Sequence, residues 1–132
     1  MMPCCDPVKV LRVVIADDSN VIRCRLARKI SRLRGVIVAR ESDDVSTTLD
    51  AVRSANPNAV VLDIQMPGGS GIDVLAEIKK ERPDCIVIML TNHALPPLKK
   101  KCLELGADYF FDKTTEFEKV SDVLKQLSLS SV

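Results

Sequence analysis

The run Val60-Val61-Leu62 ends abruptly in a carboxylate, Asp63, and a Pro- and Gly-rich turn, Met66-Pro67-Gly68-Gly69-Ser70-Gly71, follows almost at once. The apolar run reads as a buried strand and the turn as its exit into solvent. Asp63 is therefore expected at the carboxyl end of a strand, at the mouth of a sheet. In open α/β sheets that edge is where ligands bind.

The rest of the chain repeats this grammar. Val10 to Ala16 is apolar apart from Arg12 and ends in Asp17-Asp18-Ser19. Ser19 or Asn20 is a good N-cap for a helix in which Ile22, Leu26, Ile30 and Leu33 recur at helical spacing, with Gly35 as the stop. Val36 to Ala39 reads as a second strand. Asp43-Asp44 opens a second helix carrying Val45, Leu49 and Val52, closed before Asn56-Pro57. Ala59 to Leu62 is the third strand, and Gly71 to Glu81 the third helix, with Ile72, Leu75 and Ile78 inward. Cys85 to Leu90 is a fourth strand ending at Thr91. Pro96-Pro97 opens a fourth helix that buries Leu98, Cys102 and Leu105 and closes at Gly106. Tyr109 to Phe111 is a short fifth strand ending at Asp112-Lys113, and Phe117, Val120, Leu124 and Leu127 mark the last helix.

Five strands thus alternate with five helices. Near-continuous apolar strands require cover on both faces, as in a parallel sheet flanked by helices, and right-handed crossovers leave few topologies. The 132 residues suit one domain, with residues 1–8 expected as a flexible segment and residues 9–129 as the folded unit. No interdomain linker is visible, and no effector domain is expected. The 46% apolar content excludes a disordered polar chain, and a net charge of +1 gives no strong field toward nucleic acid or membrane. No apolar run approaches a membrane span, and the start lacks the pattern of a secretory signal. The five cysteines have no metal-ligand spacing. Cys24, Cys85 and Cys102 read as small buried hydrophobes and Cys4-Cys5 as an inert terminal pair, in a reducing cytoplasm.

The polar residues sort themselves onto one rim. Asp17 and Asp18 follow strand one, Asp63 strand three, Thr91 strand four and Lys113 strand five. Taken singly, each is most simply a turn residue, a cap or a solvated side chain. Taken together, three carboxylates, a hydroxyl and an ammonium at one edge are an improbable coincidence. Three close carboxylates repel one another unless a cation compensates, and hard oxygen ligands suit Mg²⁺. A carboxylate is also a nucleophile toward phosphorus. Mg²⁺, an ammonium and a hydroxyl would then stabilise the charge on the transferring phosphoryl oxygens. This assigns attack to Asp63, metal binding to Asp17 and Asp18, and phosphoryl contacts to Thr91 and Lys113.

Asp17-Asp18, Asp63 with Met66-Pro67 and Gly71 behind it, Thr91, Gly106-Ala107-Asp108 and Lys113 together resemble the receiver domain of two-component response regulators. The resemblance covers essentially residues 9 to 129. It implies a flavodoxin-like, doubly wound α/β fold with strand order 2-1-3-4-5 and five helices. It implies phosphoryl acceptance on Asp63 from a sensor histidine kinase or histidine phosphotransfer protein. Mg²⁺ is then held by Asp17, Asp18, Asp63 and the backbone carbonyl of Gln65. Thr91 becomes the switch hydroxyl, Lys113 the phosphate-sensing base, and Phe110 the aromatic switch position. The resemblance further implies docking of the phosphodonor on the first helix, near Val21 and Ile22. The output surface falls on helix four, strand five and helix five. The state is then a monomer or a phosphorylation-dependent homodimer, and the output an unnamed protein target.

Three positions depart from the family pattern. Thr114 stands where receivers usually carry Pro, Asn92 stands where they prefer a small residue, and Phe110 has no hydroxyl. Asn92, with Gln65 and His93, is expected to slow phosphorylation and hydrolysis. The six basic residues of the first helix read as a solvated face, as do Lys99-Lys100-Lys101. Three rivals were weighed. A Mg²⁺-dependent phosphatase needs an acid two residues after the nucleophile, where this chain has Gln65. A nucleotide-binding enzyme needs a phosphate-cradling glycine loop after the first strand, which is absent. A degenerate receiver acting as a constitutive protein-binding module fits poorly with a complete set of site residues.

Overall fold

The computed structural model describes residues 10–92 and 94–130. The expected N-terminal segment 1–8, the Cys4-Cys5 pair and His93 lie outside the described residues. Five parallel strands form one sheet: β1 (Leu11–Ala16), β2 (Val36–Ser42), β3 (Ala59–Leu62), β4 (Ile86–Thr91) and β5 (Tyr109–Asp112). Their spatial order is β2-β1-β3-β4-β5, the flavodoxin-like arrangement. Five helices connect and cover them: α1 (Asn20–Ser31), α2 (Val45–Ala55), α3 (Gly71–Glu81), α4 (Pro96–Glu104) and α5 (Phe117–Ser130).

The period-two alternation of the strands divides the core in two. Val14, Ala16, Val60, Leu62, Val87 and Met89 face the α2, α3 and α4 side, where Val52, Leu75, Ile78, Cys102 and Phe110 join them. Val13, Ile15, Val61, Ile88 and Leu90 face α1 and α5, where they meet Leu26, Ile30, Val120 and Leu124. Both faces of the central strands are thus dry, as their unbroken apolar sequence requires.

The helix boundaries follow local chemistry. The side chains of Ser19, Asp44 and Ser70 cap α1, α2 and α3 by accepting backbone N–H bonds from Ile22, Thr47 and Ile72. Asn56 closes α2 in the left-handed conformation (φ 48°). α1 ends earlier than expected, at Ser31, and Gly35 (φ 77°) instead turns the chain into β2.

Two expectations need correction. β2 runs through Ser42 rather than stopping at Ala39, because Arg40 and Glu41 lie on a sheet edge, where exposed polar side chains are tolerated. Cys24 is exposed rather than buried, since it lies across the helix from the Ile22–Leu26–Ile30 stripe. Cys85 and Cys102 are buried, and burial pushes the Cys85 thiol up to about 11.

Candidate functional site

The carboxyl ends of β1, β3, β4 and β5 meet at one rim. There Asp17, Asp18 and Asp63 offer carboxylate oxygens within 4.8 Å of one another. Asp17 and Asp63 are 1% and 5% exposed, Thr91 is fully buried and Lys113 is 8% exposed, whereas Asp18 faces solvent. Lys113 Nζ lies 3.1 Å from Asp63 Oδ2 and donates to it. The same ammonium lies 2.6 Å from Asp17 Oδ2. The ammonium thus bridges the two buried carboxylates.

Backbone bonds place these groups. The Asp63 N–H donates to the Ala16 carbonyl, the Asp17 N–H to Ser42 and the Lys113 N–H to Thr91, so each strand end is tied to its neighbour. After Asp63 the chain is anchored by Ile64 and Met66, which point into the core, while Gln65 between them is exposed. Gln65-Met66 forms a two-residue antiparallel ladder with Gly69-Ser70. Gly71 is required by contact: a Cβ there would sit 1.9 Å from the Asp63 carbonyl oxygen. Its N–H instead donates to the Ile64 carbonyl at 2.6 Å.

After Lys113 the chain turns on Asp112. Where a Pro was expected from the family pattern, Thr114 offers an N–H and a hydroxyl, and both donate to Asp112 Oδ1 at 2.7 and 2.5 Å. Phe110 is buried among the core residues of the α3 and α4 side.

Electrostatically the pocket is under-compensated. Burial raises the Asp63 carboxyl above its ordinary range, the negative charge of Asp17 adds to this, and Lys113 opposes it. Burial lowers the Lys113 ammonium, but Asp17 and Asp63 outweigh it and leave the pKa raised. One ammonium thus faces three carboxylates. An all-oxygen donor set of three converging carboxylates and an excess of negative charge suit a hard divalent cation, so the residues fit Mg²⁺.

Two residues with a part in this geometry escaped the sequence reading. Arg23, grouped there with a solvated basic face, donates from its guanidinium to the Asp17 carbonyl at 2.7 Å. Lys29 pairs with Glu118 at 2.5 Å and Arg25 lies 4.3 Å above the Phe117 ring, so only part of that face is simply solvated. Asp108, noted only within Gly106-Ala107-Asp108, accepts from the Val87 N–H and from Lys79, tying the start of β5 to β4 and α3. Helical spacing gave no hint of either role, because Arg23 reaches back over the β1–α1 turn to Asp17 and the partners of Asp108 lie 21 and 29 residues away.

The fold, with this rim of acids, hydroxyl and ammonium at the strand ends, is that of a receiver-type α/β module. A model of the response regulator receiver domain matches residues 13–125, and the chain belongs to that family. It is 23% identical to the response regulator GacA of Pseudomonas aeruginosa, over 89% of this chain and 55% of that protein. The chain spans about half the length of several curated relatives it matches. The signal receiver domain of the putative response regulator NarL from Mycobacterium tuberculosis superposes with a TM-score of 0.83 at 26% identity, covering 91% of this chain and 97% of that one. A CheX–CheY–BeF3–Mg²⁺ complex from Borrelia burgdorferi gives 0.75 at 27% identity, covering 86% and 89%. No helix among the described residues is long and apolar enough to cross a membrane.

Proposed function

We propose that this receiver domain accepts a phosphoryl group on Asp63 from a phosphohistidine donor. An Asp63 oxygen attacks phosphorus, and the phosphorus–nitrogen bond of the donor breaks with its electron pair returning to the imidazole. Asp17, Asp18, Asp63 and the Gln65 carbonyl would hold Mg²⁺, which supplies positive charge against the carboxylates and the phosphoryl oxygens. The Thr91 hydroxyl and the Lys113 ammonium receive the remaining phosphoryl oxygens, where charge develops during transfer. Attack of water on phosphorus then returns the carboxylate and releases inorganic phosphate.

The observation that carries this reading is the shared ammonium, Lys113 Nζ, held between Asp63 and Asp17 in a buried pocket. When Asp63 is phosphorylated its charge relocates onto the phosphoryl oxygens, and Lys113 and Thr91 follow it. Phe110 has no hydroxyl to switch, so the change passes through packing between β5 and α4. The output is phosphorylation-dependent binding to another protein, as a population shift between two states. The donor docks beside the pocket on α1, where Val21 is 67% exposed. The Borrelia CheY assembled with Mg²⁺ and CheX supports both the cation and a protein partner. The buried free thiols of Cys85 and Cys102 support a cytoplasmic setting.

The test is reductive mapping. After incubation with a phosphorylated histidine phosphotransfer protein and Mg²⁺, borohydride converts an aspartyl phosphate to homoserine, and peptide mass spectrometry is expected to find it at residue 63. Label at another residue, or none, overturns the reading.

A further inference from the structure

Behind the acidic pocket, on the α2 side of the sheet, lies a second polar feature that the phosphoryl chemistry does not use. Ser42, the last residue of β2, and Thr48, on the inner face of α2, are 6% and 0% exposed. Their hydroxyl oxygens are 2.7 Å apart. The Thr48 hydroxyl donates to the Asp44 carbonyl at 2.6 Å, so Ser42 is the donor in the pair. Around them the α2 face is apolar, with Ala51, Val52 and Ala55 buried. Two hydroxyls enclosed in such a face must repay their desolvation through geometry, since a pair of apolar side chains would fill the space without that cost.

The location explains what needs fixing. β2 is an edge strand, and its register with β1 slips midway: Val13 pairs with Val38, but Val14 pairs with Arg40, leaving Ala39 as an extra residue. Beyond the slip, Arg40 and Glu41 are exposed and contribute no core packing to hold the new register. Ser42 is the first buried residue after it, and it lies opposite Ala16. The Ser42 carbonyl accepts the N–H of Asp17 at 3.1 Å. From the other side, the Val45 N–H at the start of α2 donates to the Pro67 carbonyl, in the loop that leaves Asp63. The Ser42–Thr48 bond therefore ties the strand end that holds the Asp17 N–H to the helix whose first N–H holds the loop after Asp63.

Building on the phosphoacceptor reading, we propose that the Ser42–Thr48 hydroxyl pair is a positioning element of the acidic pocket. It pins the end of the slipped β2 register to α2 and so sets where Asp17 presents its carboxylate to a divalent cation. Neither hydroxyl touches the cation or the phosphoryl group.

The test uses the full chain. Replacing both partners, Ser42→Ala with Thr48→Val, removes the bond without leaving a buried hydroxyl alone, so the fold is retained. Calorimetric titration with MgCl2 is expected to show affinity about three- to tenfold weaker than wild type, below the loss seen when a ligand's direct hydrogen-bond partner is removed. Thr48→Ser, which keeps the oxygen, is expected to bind as wild type does. Hydrogen exchange at the Asp17 amide, followed by NMR without Mg²⁺, is expected to quicken in the double variant and not in Thr48→Ser. Should the double variant not fold, Ser42→Ala alone carries both measurements with the same signs. Unchanged Mg²⁺ affinity together with unchanged Asp17 exchange overturns the proposal. If wild type takes up no Mg²⁺, the phosphoacceptor reading fails, and Asp17 exchange alone decides the positioning role.

Discussion

Lys113 Nζ lies nearer to Asp17 than to Asp63, at 2.6 against 3.1 Å. The ammonium thus faces the Asp17 and Asp63 carboxylates at once, and it occupies the electrostatic position that a bound cation would share. At a few ångströms and an effective dielectric near 20, two like charges repel by a few kcal/mol. Lys113→Gln is accordingly expected to bind Mg²⁺ about tenfold more tightly by calorimetric titration. The same variant loses a donor to the transferring phosphoryl group and is expected to react with a small phosphodonor about a hundredfold more slowly. Weaker Mg²⁺ binding in Lys113→Gln would mean that the ammonium organises the site rather than competing for it.

Asp63 gives the pocket a pH signature. Its carboxyl is raised above the ordinary value of 3.8, by burial first and by Asp17 second. Between the ordinary and the raised values the folded chain holds a proton that the unfolded chain has released. Stability therefore falls as pH rises through that window, and ionised Asp63 is a destabilising group at neutral pH. Asp63→Asn is expected to raise the thermal midpoint at pH 7 in the absence of Mg²⁺. The gain should shrink as pH drops below the ordinary carboxylate range. An equal or lower midpoint for the variant at pH 7 would contradict this.

Gly71 tests how tightly the loop after Asp63 is built. A Cβ placed 1.9 Å from the Asp63 carbonyl oxygen must push the backbone that carries the Asp63 carboxylate. Overpacking of this kind costs about 1–3 kcal/mol, and urea denaturation of Gly71→Ala is expected to show at least that. Because the clash is with Asp63 itself, phosphorylation of the folded fraction should slow as well. A variant with unchanged stability would show that the loop adjusts freely.

The architecture was legible where one physical signal dominated. Ala59–Leu62 and Gly71–Glu81 match their expected bounds, because an unbroken apolar run and a Pro-Gly turn punctuate them. The rim residues were legible because each closes a strand or lies within two residues of its end, and in a parallel sheet all such ends share one edge. The end of β2 was not, since Arg40-Glu41-Ser42 has no apolar pattern and is a strand only by pairing with β1. Cys24 was misplaced by giving weight to its helix and not to its angle from the Ile22–Leu26 stripe. The bonds from Arg23 to the Asp17 backbone and from Ser42 to Thr48 depend on how separate elements are oriented, which no local periodicity encodes. Nor was the sharing of Lys113 between Asp63 and Asp17, which joins residues 96 positions apart.

Asn92 offers a test of what sets the lifetime of a phosphorylated state. It is exposed and lines a cavity of about 400 Å³ together with Ile22, Arg25, Lys113 and Thr114. It shares that cavity with Lys113, which contacts Asp63, so Asn92→Ala is expected to shorten the half-life of the phosphoprotein and to speed its formation from a small donor. Decay followed by loss of label in wild type and variant checks this, and equal lifetimes would remove any gating role for Asn92.

Intact-mass spectrometry after incubation with acetyl phosphate and Mg²⁺ bears most directly on the acidic rim. Wild type is expected to gain the mass of one phosphoryl group, and to lose that gain when a chelator is present from the start. Asp63→Asn is expected to gain nothing. No added mass on wild type, or the same added mass on Asp63→Asn, would contradict phosphoryl acceptance at Asp63.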